Sequence, residues 1–272
     1  MSFSELQGQE SACRTGLAEA KLVVVKIGSS SLSTDKGSID EKKIDSLCEM
    51  LARLKRRGIK VILVSSGAIR AGRTIIREQM KNGTISSLQA LAAIGQVALM
   101  ESYRDVMDLK GFNVAQILLT WDDFRNKKRL RNLVTTLETL LKLDVIPIIN
   151  ENDTIAVDEI KFGENDTLSA LVAVHLNADL LILLSDVDGL YDGDPSKASS
   201  HLITCVDKVT DNLKKMVDDK HGGFGGMAAK LNAAKIVTEA GIPMVIANSS
   251  LPNVLERIIE GSQIGTLFCP VV

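Results

Sequence analysis

Apolar and polar positions along this chain follow two rhythms. Short runs dominated by Val, Ile and Leu recur as KLVVVKI (from Lys21), IKVILVSS, NVAQILLT, DVIPIIN, DLLILLS and IPMVIAN. Between them lie longer stretches whose apolar residues fall three and four apart: IDEKKIDSLCEMLARLKRRG, SLQALAAIGQVALMESYRDVMDLKG, RNKKRLRNLVTTLETLLKL, TLSALVAVHLNA, MAAKLNAAKIVTEAG and VLERIIEG. The second rhythm predicts helices, and the unbroken apolar runs predict strands buried on both faces. Their alternation implies βαβ units and therefore an α/β fold, a three-layer α/β/α sandwich with a mostly parallel central sheet. Residues 1–20 are polar and lack a period, so they are expected to form a poorly ordered extension ahead of a single domain over 21–272.

In open parallel sheets, ligands bind outside the carboxyl ends of the strands, so the residues that follow each apolar run matter most. They are Lys26-Ile27-Gly28-Ser29-Ser30, Ser65-Ser66-Gly67-Ala68, Asn150 to Asp153, Ser185-Asp186 and Asn248-Ser249, nearly all small or polar. The triplet END occurs twice in this neighbourhood, at Glu151-Asn152-Asp153 and at Glu164-Asn165-Asp166. Asn and Asp also collect in ordinary turns, because they hydrogen-bond their own backbone and tolerate unusual dihedrals. The place of the first triplet, directly after a buried strand, favours a site.

Four stretches carry candidate chemistry. In VVVKIGSS a lysine sits inside a hydrophobic strand, which is costly unless it is paired, and Gly28 permits close approach of a ligand to the backbone. A phosphate would answer both, and a strand-end lysine reaching solvent is the plainer alternative. In HGGFGGMAAKLNAAK a glycine-rich loop opens a helix with Lys230 one turn in, which suits an anion or, more simply, a flexible linker. Its loose GxGxxA is not preceded by a strand, so a dinucleotide fingerprint is unsupported. LLILLSDVDGLYDGDP ends a buried strand in Ser185-Asp186. It lacks the spacing and closing Glu of a calcium-binding EF-hand loop, and a turn-rich nucleotide pocket suits it equally well. VSSGAI bends at Gly67, where the amides near Ser66 and Ala68 suit a carboxylate or phosphate. It is not the GxSxG of a hydrolase nucleophile. His175, inside LVAVHLNA, reads as a core or helix-face residue, and Asp166 also reads as a cap for the helix that follows it.

Composition narrows the field. With 272 residues and 45% hydrophobic content the chain can bury a large core. Its 32 Lys and Arg against 34 Asp and Glu leave a net charge of -2, so no global field points to nucleic acid or an anionic membrane. The four cysteines are scattered without a CxxC pair and the three histidines form no ligand-spaced set with them, which argues for reduced thiols in a cytoplasmic setting and against structural zinc. No stretch approaches the roughly 18 apolar residues of a membrane span.

Taken in order, VVVKIGSS, VSSGAI, AAIGQ, INENDT, GENDTLSALVA, LLSDVDGLYDGDP, GGMAAK and IGTLF resemble the motifs of the amino acid kinase family, from about Lys21 to Phe268. The resemblance implies ATP at the carboxyl edge of the sheet. The INEND and GENDTLSA pair further implies transfer of a phosphoryl group to the γ-carboxylate of L-glutamate, giving glutamyl 5-phosphate, the first step of proline synthesis. By the same resemblance Lys26 and Lys230 are similar to the family's two phosphate lysines, and Asp166 matches the carboxylate that holds both. Asp153 and Asn165 would be glutamate ligands, with Asp153 facing the ammonium and Asn165 donating to a carboxylate. Ser66 and the amides of Gly67 and Ala68 would hold the other carboxylate, and Asn150 would support them. Gly28, Ser185, Asp186, Gly225, Gly226 and Met227 would border the nucleotide, with Mg2+ bound chiefly through its phosphates and water.

The sequence departs from the family where Phe224 replaces a common threonine and where Ala228 and Ala229 replace hydroxyl residues. The resemblance also implies a homo-oligomer, dimeric or tetrameric, and functional coupling to glutamyl phosphate reductase; many family members carry a C-terminal accessory domain, and none is expected within 21–272. Rival readings are a kinase of the same fold acting on acetylglutamate or uridylate, or a catalytically silent amino acid sensor.

Overall fold

Branching at Cβ suits Val and Ile to extended backbone and to a sheet packed on both faces, and LVVVKI forms the central strand, β1 (Leu22–Ile27). The computed structural model describes residues 13–34, 37–76, 84–156, 165–195, 197, 199–211, 213–214 and 226–271. The other apolar runs become β2 (Lys60–Ser65), β3 (Val114–Leu119), β4 (Ile146–Glu151), β5 (Leu180–Ser185) and β9 (Met244–Asn248). Four short strands complete the set: β6 (Leu190–Tyr191), β7 (Leu202–Ile203), β8 (Cys205–Val206) and β10 (Thr266–Phe268). Eight strands form one sheet in the order β3-β4-β2-β1-β5-β9-β10-β8, while β6 and β7 pair separately. Every pairing in the large sheet is parallel except that of β10 with β9.

The helices are α1 (Glu41–Arg56), α2 (Ala68–Ile76), α3 (Ile85–Leu109), α4 (Trp121–Arg125), α5 (Lys127–Lys142), α6 (Asn165–His175), α7 (Gly226–Glu239) and α8 (Val254–Ile259). They split into two layers. Val23, Val25 and Ile27 of β1 share one core with Leu47 and Leu51 of α1, Tyr103 of α3 and Ile258 of α8. Val24 shares the opposite core with Leu137 of α5, Leu168 of α6 and Leu231 of α7. Because side chains alternate along a strand, Lys26 leaves β1 on the face of Val24, toward α6 and α7. This pleat arithmetic positions the site.

Residues 13–20 correct the expectation of a loose extension over 1–20. Leu17 and Ala20 are buried in the first core, and the Arg14 guanidinium donates to the carbonyls of Thr204 at 2.7 Å and of Ser262 and Ile264 at 3.2 Å. A single buried leucine and a tethered arginine produce no periodicity, which is why the segment looked featureless; residues 1–12 lie outside the described residues. Elsewhere in the fold, α2 and α3 cross in backbone contact. A methyl added at Gly95 would lie 1.9 Å from the Ala68 carbonyl oxygen, and one at Gly72 would lie 2.0 Å from that of Leu91. No helix among the described residues is long and apolar enough to cross a membrane.

Candidate functional site

The carboxyl ends of β1, β2 and β5 open into a cleft of about 480 Å3. It is lined by Lys26 and Gly28 after β1, Ser66, Gly67 and Ala68 after β2, Ser185 and Asp186 after β5, and Gly226 and Lys230 from α7, with Asp153 and Asp166 between them. Gly67 has φ of +118°, a conformation open chiefly to glycine, and it turns the chain from β2 directly into α2.

One buried carboxylate joins two lysines in this cleft. Asp166, 1% exposed, is ion-paired through Oδ1 with Lys26 Nζ and through Oδ2 with Lys230 Nζ at 3.1 Å. Lys230 Nζ also donates to the Gly226 carbonyl at 3.2 Å, one turn back along α7. Burial alone would raise the Asp166 carboxyl, but the charges and hydrogen bonds of Lys26 and Lys230 outweigh it and hold it below the ordinary carboxylate value. Asp166 is the second residue of α6, inside the helix, so its carboxylate serves the lysines and is not the cap that sequence position alone allowed.

Asp153 is different. It is 5% exposed, its Oδ1 has no hydrogen-bond partner among the described residues, and burial pushes its carboxyl up to about 6. A buried acceptor without a donor is expensive, and a ligand cation would relieve it.

Between the two acids runs a buried amide chain. Asn165 Nδ2 donates to Ser66 Oγ at 2.8 Å and to Asn150 Oδ1 at 3.0 Å, and Asn150 Nδ2 donates to Gln96 Oε1 at 2.9 Å. The Asn165 amide hydrogens are thus committed within the protein, and neither Asn165 nor Asn150 lines the cleft. Asn165 thus braces Ser66 with the amide that the sequence offered to the ligand itself. With Ser66 Oγ accepting from Asn165, its own hydroxyl proton is left to point elsewhere.

Met227 packs on the core behind α7 and does not line the cleft, whereas Gly225, with Phe224 beside it, lies outside the described residues. In the loop after β5, Asp188 accepts from Asn248 Nδ2 at 2.9 Å and from the Tyr191 hydroxyl at 3.1 Å, so it serves the loop's own structure. His175 stacks on Phe124, with ring centroids 5.8 Å apart. The sequence reading missed Arg70 and Arg73, which line the cleft from α2. Their spacing of three after the Gly67 bend, which places both on one helix face, was the available signal. Among the described residues the lining then carries four cationic side chains against three carboxylates, a balance suited to anions.

The sequence profile of the amino acid kinase family matches residues 21–248. Glutamate 5-kinase of Dictyoglomus turgidum is 48% identical over 252 residues, spanning 92% of this chain and 68% of that protein. Glutamate 5-kinase of Clostridium acetobutylicum is 46% identical over 257 residues, spanning 93% and 96%. Among solved structures, carbamate kinase from Giardia lamblia superposes with a TM-score of 0.65 at 19% identity, covering 93% of this chain and all of that one. UMP kinase from Bacillus anthracis gives 0.63 at 18% identity, covering 93% and 97%, so the shared fold extends well beyond one substrate. Fold and relatives together define a kinase, a phosphotransferase built on a mostly parallel sheet. The chain belongs to the amino acid kinase family and, within it, to the glutamate 5-kinases.

Proposed function

We propose that the chain transfers the γ-phosphoryl group of ATP to the γ-carboxylate of L-glutamate, forming glutamyl 5-phosphate for proline biosynthesis. The observation that carries this reading is the pairing, in one cleft, of a carboxylate shared by two lysines with a second carboxylate that lacks a partner among the described residues. In this reading Asp153 receives the substrate ammonium. Ser66 donates its free hydroxyl proton to the α-carboxylate, helped by the amides of Gly67 and Ala68, and Asn165 and Asn150 fix Ser66 in place. Gly28, Ser185, Asp186 and Gly226 border the nucleotide.

The chemistry needs few further parts. A glutamate carboxylate is ionised at neutral pH, its reference pKa being about 4.3, so attack on phosphorus requires no general base. What it requires is in-line alignment of two anions and neutralisation of the charge on the transferred group. Lys26 and Lys230 supply the positive charge, and Asp166 lets two ammonium groups converge that would otherwise repel. Magnesium suits the nucleotide side. Asp166 is taken by the lysines and Asp153 by the amino acid, which leaves Asp186 as the remaining carboxylate among the described lining residues. A hard cation held mainly by phosphate oxygens and water needs no more than that, and when bound it neutralises phosphate charge.

The direct test is incubation with ATP, magnesium and L-glutamate in the presence of hydroxylamine, which captures an acyl phosphate as its hydroxamate. Hydroxamate formed with glutamate, and absent with acetylglutamate, is the expected result. ADP release without hydroxamate would overturn the reading.

A further inference from the structure

Three of the four cysteines meet at the other end of the sheet. Phe268 of β10 lies opposite Met244 at the start of β9, so Cys269 continues past the amino end of β9, away from the cleft. Cys205 opens β8, and the Cys269 amide donates to the Val206 carbonyl at 3.0 Å. The sulfurs of Cys205 and Cys269 are 3.4 Å apart, and Asp207 brings Oδ1 to 4.0 Å from Cys205 Sγ. The ligand atoms of Cys205, Asp207 and Cys269 all lie within 4.8 Å of one another. Cys13, from the packed segment before β1, brings its thiol near enough to interact with that of Cys269.

We infer that Cys205, Cys269 and Asp207, with Cys13 as fourth ligand, form a binding site for a thiophilic divalent cation of the zinc type. Zinc takes thiolate and carboxylate ligands tetrahedrally at about 2.3 and 2.0–2.2 Å, which sets neighbouring sulfurs somewhat under 4 Å apart. The sulfurs here are already at that scale. Two thiols would suffice for a disulfide, but a carboxylate within 4.8 Å of both, with a third thiol beside Cys269, exceeds what a disulfide uses. Three thiolates, one carboxylate and a divalent ion sum to a charge of -2, and the Arg14 guanidinium is close enough for its charge to act on Cys13 and offset part of that. Each coordinating thiol releases its proton on binding. The ion would fasten the segment around Cys13 to the outer strands of the sheet. The cysteines carry no CxxC spacing, because their convergence is made by strand pairing and by the chain's first described turn.

The test uses the whole reduced protein, stripped of metal under anaerobic conditions and titrated with Co2+ and then Zn2+. One equivalent per chain is expected, with the thiolate charge-transfer and tetrahedral d–d bands of cobalt, their loss on adding zinc, and zinc protection of Cys13, Cys205 and Cys269 from alkylation. Cys269→Ser and Cys205→Ser should abolish the cobalt bands. Asp207→Asn, which keeps all the thiols, should weaken binding by more than roughly 10-fold, the least that even a supporting residue typically costs. The inference is overturned if the wild-type protein gives no cobalt–thiolate bands, if alkylation is the same with and without zinc, or if mass spectrometry finds Cys205 and Cys269 joined as a disulfide in the metal-stripped and the zinc-treated protein alike.

Discussion

Asp153 and Asp166 are buried carboxylates at one edge of one sheet, held in opposite conditions. Asp166 is closed: two lysines saturate it and keep its carboxyl low although burial pushes the other way. Asp153 is open: burial raises it to about 6, and its Oδ1 has no hydrogen-bond partner among the described residues. Both are buried, so burial alone does not decide what a carboxylate is for. The partners do. A saturated acid organises other protein groups, whereas an unsaturated one is a socket for something that arrives.

The largest expected effect comes from closing the socket. Asp153→Asn should cost roughly 2–5 kcal/mol of glutamate affinity, the range for losing one partner of a buried charge pair, and leave ATP binding nearly unchanged. Calorimetric titrations with each ligand check this, and equal weakening of both would erase the contrast between the two acids. Next comes Lys230→Ala, expected to lower turnover on the order of 100-fold or more, the scale for one preorganised electrostatic contact. A variant with normal turnover would remove Lys230 from the chemistry.

Asp166→Ser sharpens the comparison from the other side. Without its carboxylate two cations face one phosphoryl position, so turnover should fall by roughly tenfold or more, about 1.4 kcal/mol of barrier. The Michaelis constant for glutamate should move little, the mark of an interaction realised chiefly in the transition state. A rise in that constant at unchanged turnover would make Asp166 part of the substrate socket instead.

The smallest effect is on stability and carries a pH signature. The Asp153 carboxyl is raised from 3.8 to about 6 in the folded protein, so between those values the native state keeps a proton that the unfolded state has released. Stability therefore falls as pH rises through this window and stays lower above it. Asp153→Asn removes the charge and should be more stable than the parent at pH 7 by about 1–2 kcal/mol, below the limit of about 3 set by the shift because a buried amide is itself under-bonded. The gain should vanish near pH 4, as urea denaturation at the two pH values will reveal.

The sequence made the sheet legible because β1, β2, β4 and β5 are buried on both faces and read as unbroken apolar runs. Lys26 stood out against that background for the same reason. β8 and β10, two and three residues long, are too short to generate a pattern. Residue types also could not reveal which way the Asn165 amide points, since that is fixed by Ser66 and Asn150, far away in sequence. Arg70 and Arg73 could not be singled out by type, because arginines on a short helix usually face solvent, and it is the position of α2 that brings this partly exposed pair to the cleft. The cysteine cluster was invisible for the most general reason: its members share no segment.

The crossing of α2 and α3 at Gly72 and Gly95 has a consequence for sequence change. At these two positions the space for a side chain is already filled by the partner helix's carbonyls, so even the smallest replacement must push the two helices apart. Ala68, whose carbonyl sits against Gly95, is also the first residue of α2 and a lining residue of the cleft. Substitutions on the far side of that contact, at a position that does not itself line the cleft, would thus be read out as displacement of the Ser66-Gly67-Ala68 turn. Drift at Gly95 is confined by the geometry of a turn it does not belong to.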